Sequence, residues 1–226
     1  PVCHNAIRDT RRHGDRRLLD RRAGRAAAMV DLGEELQVPD AGGAFNIDTE
    51  CVNGRRGNSA DHLTKDVVPF MVSKFGVSAH RENWGVVGFS MGGTCAVDLA
   101  VMHPDMFSAF EDIAGDSAPN SGTKDETISR LFGGNVAAYA SFDPTNVITR
   151  HGAYSGVAGW FAVNSAASPE QSSAANSLCG LGNTKGITCT VVTAPGMHDW
   201  TFASQAFATA LPWMAGRLRT PGVPPT

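Results

Sequence analysis

From residue 40 onward, apolar positions switch between helical spacing and short unbroken runs. Leu63, Val67, Phe70 and Met71 share one helical face, which predicts an amphipathic helix over Asp61–Phe75, kinked at Pro69. Trp84-Gly-Val-Val-Gly-Phe89 is a short apolar run suited to a strand covered on both faces. A helix follows over Met91–His103 and is stopped by Pro104. Phe107–Ile113 reads as the next strand, ending at Ala114-Gly115-Asp116. Thr123-Lys-Asp-Glu126 has the form of a capping box opening a helix to Phe132. Gly159–Val163 and Ile187–Thr193 read as two further strands. Between them Ser168-Pro-Glu-Gln171 starts a helix, with Ser at the cap and Pro at the first helical position. A last helix covers about Thr201–Leu218, and the Pro-rich end from Pro221 is a loose tail. Alternating strands and helices at crossover spacing predict an α/β fold, a mainly parallel sheet with helices on both faces. Its catalytic residues belong on loops at the carboxyl ends of the strands.

The first 38 residues break this pattern. Arg pairs recur at Arg11-Arg12, Arg16-Arg17 and Arg21-Arg22, and no strand-like apolar run is read there. Residues 1–25 hold eight Arg against three Asp, so the remaining 11 basic and 19 acidic residues leave the rest of the chain acidic. The division expected is a basic, solvated segment over 1–38, one domain over 39–219 and a tail over 220–226. With 42% apolar and 18% charged residues and a net charge of -3, the chain is neither wholly disordered nor globally basic. No nucleic-acid partner is expected, because the Arg segment lacks interleaved aromatics. No run approaches the roughly 18 apolar residues of a membrane span. Five cysteines without a C-x-x-C, and histidines at no matching spacing, call for no metal. Cys95 reads as a buried small hydrophobe, whereas Cys179 and Cys189 flank a Gly-rich turn and pair if the protein is exported.

The chemistry begins at Gly88-Phe-Ser90-Met-Gly92, a G-x-S-x-G motif with a strand running into it and a helix leaving it. Glycines let the backbone turn sharply and expose the Ser90 hydroxyl, and the Met91 N–H at the helix start can face a developing oxyanion. A serine hydroxyl needs a base within hydrogen-bond reach. Pro195-Gly-Met-His198-Asp-Trp200 supplies one after the last strand. His62 and His103 lie on helices, His80 in a turn, and His4 and His13 in the basic segment, and no strand end positions His151. The third member of such a triad is a carboxylate, expected after the strand Gly159–Val163. Asn164-Ser-Ala-Ala-Ser168 holds none, so Glu170 is the first candidate, with Asp199, Asp143 and Asp116 as alternatives. An acid in a helix's first turn is also favoured by the dipole alone.

Gly88–Gly93, the helix to His103-Pro104 and the late Gly-x-His198-x-Trp200 together resemble the esterase D and mycolyltransferase (antigen 85) group of α/β-hydrolases, over roughly Val38 to Arg219. Asp40-Ala-Gly42-Gly43-Ala-Phe45 resembles the loop that this group places at the cleft. The resemblance implies attack by Ser90, an acyl-enzyme, His198 as base and then acid, and the Met91 N–H as one oxyanion donor. It also implies a substrate cleft touching Gly42, Gly43 and Trp200, no cofactor, and export or attachment to the cell envelope. The composition, with 15 Arg and 4 Lys, suits a GC-rich source. Two departures follow. The acid is displaced to Glu170 or absent. The strands this group carries before the cleft loop are lacking or altered, as though the sequence upstream of about Val38 were truncated or read in a shifted frame. The function expected is a serine esterase acting on small-molecule or lipid acyl esters. The alternatives are acyl transfer to a sugar hydroxyl, or a weakly active or inactive member that binds at the envelope.

Overall fold

The computed structural model describes residues 27–31, 35–37, 39, 41 and 48–226. Four parallel strands form its centre: β5 (Gly85–Phe89), β6 (Ala109–Ile113), β7 (Ala158–Asn164) and β8 (Thr188–Ala194). Two antiparallel strands, β1 (Ala27–Asp31) and β2 (Glu35–Gln37), extend the sheet beyond β5, giving the order β2-β1-β5-β6-β7-β8. The sequence reading has no strand before residue 38, so this pair is a correction. Ala27-Ala-Met-Val-Asp31 is a short run beside Arg and Gly, and its pairing is supplied by β5, with Ala27 opposite Gly88 and Val30 opposite Gly85. A two-residue hairpin, β3 (Asn53–Gly54) with β4 (Gly57–Asn58), stands apart from this sheet.

Adjacent residues of β5 point to opposite faces, and both faces are covered. Val86, Phe110 and Phe161 belong to the larger core with Leu99 and Val97 of α3 (Met91–Met102), Ile148 of α6 (Pro144–Arg150) and Leu178 of α7 (Pro169–Thr184). Val87, Phe89, Ala109 and Ile113 pack with Phe202 and Met214 of α8 (Trp200–Arg217). This two-sided burial explains why these strands read as apolar runs without alternation.

The expected helix over Asp61–Phe75 is three pieces: α1 (Ser59–Asp61), a π-helical turn (His62–Val67) and α2 (Val68–Phe75). Pro69 lacks an N–H and its ring crowds the carbonyl four residues back, and the wider turn before it makes room. That turn shifts the helical phase, so Leu63, Val68 and Met71 are buried while Phe70, expected on the inner face, is 51% exposed. Thr123 and Glu126 form the anticipated capping box of α4 (Lys124–Phe132). Ser168 caps α7 by accepting from the Gln171 N–H at 3.3 Å. Two short helices, α5 (Val136–Phe142) and α6, complete the layer, capped by Asn135 and Asp143.

Cys95 is bonded to Cys51, which corrects its reading as a simple hydrophobe; both are buried, so burial and pairing coincide. Cys179 and Cys189 also pair, tying α7 to β8. Among the described residues no helix is long and apolar enough to cross a membrane.

Candidate active site

Ser90 stands between the carboxyl end of β5 and the first turn of α3, at φ 58 and ψ −122. Left-handed angles on a non-glycine residue are costly and persist only where the surroundings impose them. Here the Ser90 N–H donates to the Ile113 carbonyl at 2.8 Å, and the Ser90 carbonyl accepts from the Gly93 N–H at 2.8 Å. The flanking glycines are needed for close approach: a Cβ on Gly88 would lie 1.9 Å from the Gly92 carbonyl oxygen, and one on Gly93 would lie 2.3 Å from an Asp112 carboxylate oxygen. The chain therefore folds tightly back on itself and leaves the hydroxyl at the cleft.

His198 arrives on the turn between β8 and α8, and its Nε2 lies 3.0 Å from Ser90 Oγ. The imidazole packs on Phe89 with ring centroids 4.8 Å apart, and Trp200 packs on the same ring at 5.1 Å. Phe89, which sequence reasoning missed as a site residue, thus seats the histidine; its place directly before Ser90 was the available signal. Met91 opens α3, and a helix's first N–H groups have no acceptor within the helix, so its N–H is available to an anion at Ser90. Trp200 is 47% exposed and Met197 63%, forming an apolar rim beside His198. Gly42 and Gly43 lie outside the described residues.

The structure brings Ser90 and His198 together but makes no hydrogen bond from His198 to Glu170. Glu170 is exposed in the first turn of α7, where a hydrogen bond with the Ser168 side chain holds its carboxyl below the usual range. The alternative acids are engaged elsewhere. Asp199 caps α8 through the Phe202 N–H at 2.9 Å, Asp143 caps α6, and Asp116 accepts from the Asn120 amide at 3.1 Å. Asp116 and Glu170 also line a cavity of about 290 Å³ with Asn120, Lys124, Thr127 and Tyr139.

Below the elbow, β6 carries two adjacent acids that the motif did not flag, although Glu111-Asp112 in an apolar strand was a visible anomaly. Burial, aided by the neighbouring Asp112 charge, raises the Glu111 carboxyl to about 8. Burial raises that of Asp112 to about 7, with the Gly115 N–H partly opposing and the Asp116 charge adding to the rise.

A profile of the family described as "Putative esterase" matches residues 40–214. An uncharacterized protein of Corynebacterium glutamicum is 32% identical over an alignment of 185 residues that covers 79% of this chain and 43% of that protein. The chain therefore spans less than half the length of this relative. Among solved structures, an S-formylglutathione hydrolase from Agrobacterium tumefaciens superposes with a TM-score of 0.60 at 19% identity, covering 72% of this chain and 58% of that one. MPT51 of Mycobacterium tuberculosis superposes with a TM-score of 0.57 at 18% identity, covering 78% of this chain and 76% of that one. At these identities the likeness is one of fold, the α/β-hydrolase fold.

Proposed function

Because the chain belongs to the "Putative esterase" family, we propose that it is a serine hydrolase cleaving carboxylic esters through an acyl-enzyme on Ser90. The observation that carries this reading is the 3.0 Å approach of His198 Nε2 to Ser90 Oγ across 108 positions of sequence. In the tautomer with its proton on Nδ1, His198 takes the hydroxyl proton through Nε2 as Ser90 Oγ bonds to the ester carbon. The carbonyl electron pair moves onto oxygen, and the Met91 N–H donates to that oxyanion. When the carbon–oxygen bond to the alcohol breaks, His198 returns its proton to the departing oxygen. Water then takes the place of the alcohol. His198 removes its proton, the acid leaves, and Ser90 recovers its hydrogen.

Labelling with a fluorophosphonate beside a Ser90→Ala control tests this reading. The wild type is expected to label and the variant not to. Equal signals would reject the reading in favour of an inactive member that binds at a surface. A second reading, acyl transfer to a hydroxyl-rich acceptor, is favoured by the polar cavity that Asp116, Asn120, Lys124 and Glu170 line. Incubation of an activated ester with a carbohydrate, followed by mass spectrometry, is expected to reveal a new sugar ester if this reading holds; free acid alone sinks it. A p-nitrophenyl ester series of rising chain length separates small acyl groups from lipid ones. The two disulfides support an oxidising location, outside the cytoplasm or at the envelope.

A further inference from the structure

The steps above give Asp112 no part, yet its carboxyl lies against the helix that carries Met91. It is 3% exposed at the end of β6. Its Oδ1 accepts from the Gly115 N–H at 2.7 Å and abuts Gly93 in the first turn of α3, where a Cβ would come within 2.3 Å of it. The residues around it hold the same turn. The Ile113 carbonyl receives the Ser90 N–H, and the Asp116 N–H donates to the Thr94 hydroxyl at 2.9 Å. A Cβ on Gly115 would fall 2.6 Å from the Thr94 nitrogen. Residues 112–116 thus clasp the elbow from below.

Among the described residues, the charged groups coupled to Asp112 are acids: Glu111 on its own strand, Asp98 on α3 and Asp116 on the following loop. β5 and β7 bring no titratable side chain, and α7 approaches with Gln171 and Ala175. Its surroundings therefore favour the neutral carboxyl.

We propose that Asp112 is a positioning residue whose carboxyl must be uncharged for full reactivity at Ser90. Neutral, it braces the first turn of α3. Ionised, it puts a negative charge beside the helix turn whose N–H receives the oxyanion, and like charges at that range oppose the transition state. This inference rests on the Ser90 and Met91 reading above. In a partly shielded site the repulsion slows the reaction on the order of ten-fold.

The test is the rate of fluorophosphonate labelling of Ser90 from about pH 5 to about pH 10, with circular dichroism at each pH to confirm a folded chain. The wild-type rate is expected to fall about ten-fold through the titration of Asp112. Asp112→Asn is expected to label at the wild type's full rate and to lose the fall. Glu111→Gln is expected to keep both the rate and the fall, so the falling limb is separated from the neighbouring acid even where Asp112→Asn does not fold. A wild-type rate that never falls overturns the proposal. So does a fall that survives in Asp112→Asn or disappears in Glu111→Gln. No labelling at any pH instead fails the nucleophile assignment and takes this inference with it.

Discussion

Ser90 and Glu170 mark the two limits of what single residues reveal here. A serine held at φ 58 after Gly88, which tolerates no Cβ beside the Gly92 carbonyl, is a local solution, written in five consecutive letters. His198 is nearly as legible, because chain order places the base after the last strand. The acid is not, since a carboxylate's role depends on what it touches across the fold. Glu170 touches Ser168 and lines the polar cavity. Its substitution therefore separates roles. Glu170→Gln is expected to leave the turnover of a small p-nitrophenyl ester within about three-fold of wild type, because the change removes a charge but not a bond to His198. A fall of orders of magnitude would restore Glu170 as the residue that orients the imidazole. Asp112 was legible only as an oddity, an acid in an apolar strand, and its contacts with Gly93 and Gly115 required the fold.

Elements were legible where end signals and periodicity agreed. The capping box at Thr123 and the Ser-Pro start at Ser168 fix helix starts through bonds within four residues, so sequence suffices. β1 and β2 lacked such signals, because a short antiparallel strand is defined by its partner rather than by its own residues. The π turn ahead of Pro69 is intermediate. The proline announced a disturbance, but the phase shift that exposes Phe70 follows only from the extra width of that turn. The Cys179–Cys189 bond joins α7 to β8 over a separation of 10 residues, and β8 leads directly to the turn bearing His198. Closing a loop of that size restricts the unfolded chain by roughly 2–3 kcal/mol. The double variant Cys179→Ser/Cys189→Ser is expected to lose about that much in urea denaturation without reductant, where the Cys51–Cys95 bond stays closed in both chains. An unchanged midpoint would show that packing of α7 alone sets this edge.

Among the described residues, several buried acids have carboxyls that burial raises above the ordinary range. Glu111 is fully buried, and neither of its carboxyl oxygens has a hydrogen-bond partner. Both oxygens of Asp98 are likewise unpartnered, and burial raises its carboxyl well above the ordinary range. Burial, with the Asp48 charge and hydrogen bond adding to it, pushes Glu50 to about 9. Such groups keep their protons in the folded chain and release them in the unfolded one. Between the ordinary carboxylate value of 4.5 and a folded value of about 8, the native state holds a proton at Glu111 that the denatured state has lost. Stability therefore falls as pH rises through that interval, and the contribution is fully lost above it. The fall attributable to Glu111 is on the order of a few kcal/mol, since each tenfold change in proton affinity corresponds to about 1.4 kcal/mol. Glu111→Gln keeps the shape and removes the titration. It is expected to raise the urea midpoint at pH 8 and to flatten the decline between mildly acidic and mildly alkaline conditions. A variant whose midpoint falls in parallel with the wild type would place the pH dependence on Glu50 and Asp98 instead. Because this decline spans neutral pH, the Glu111 contribution is largest on the acid side, where Asp112 is also uncharged.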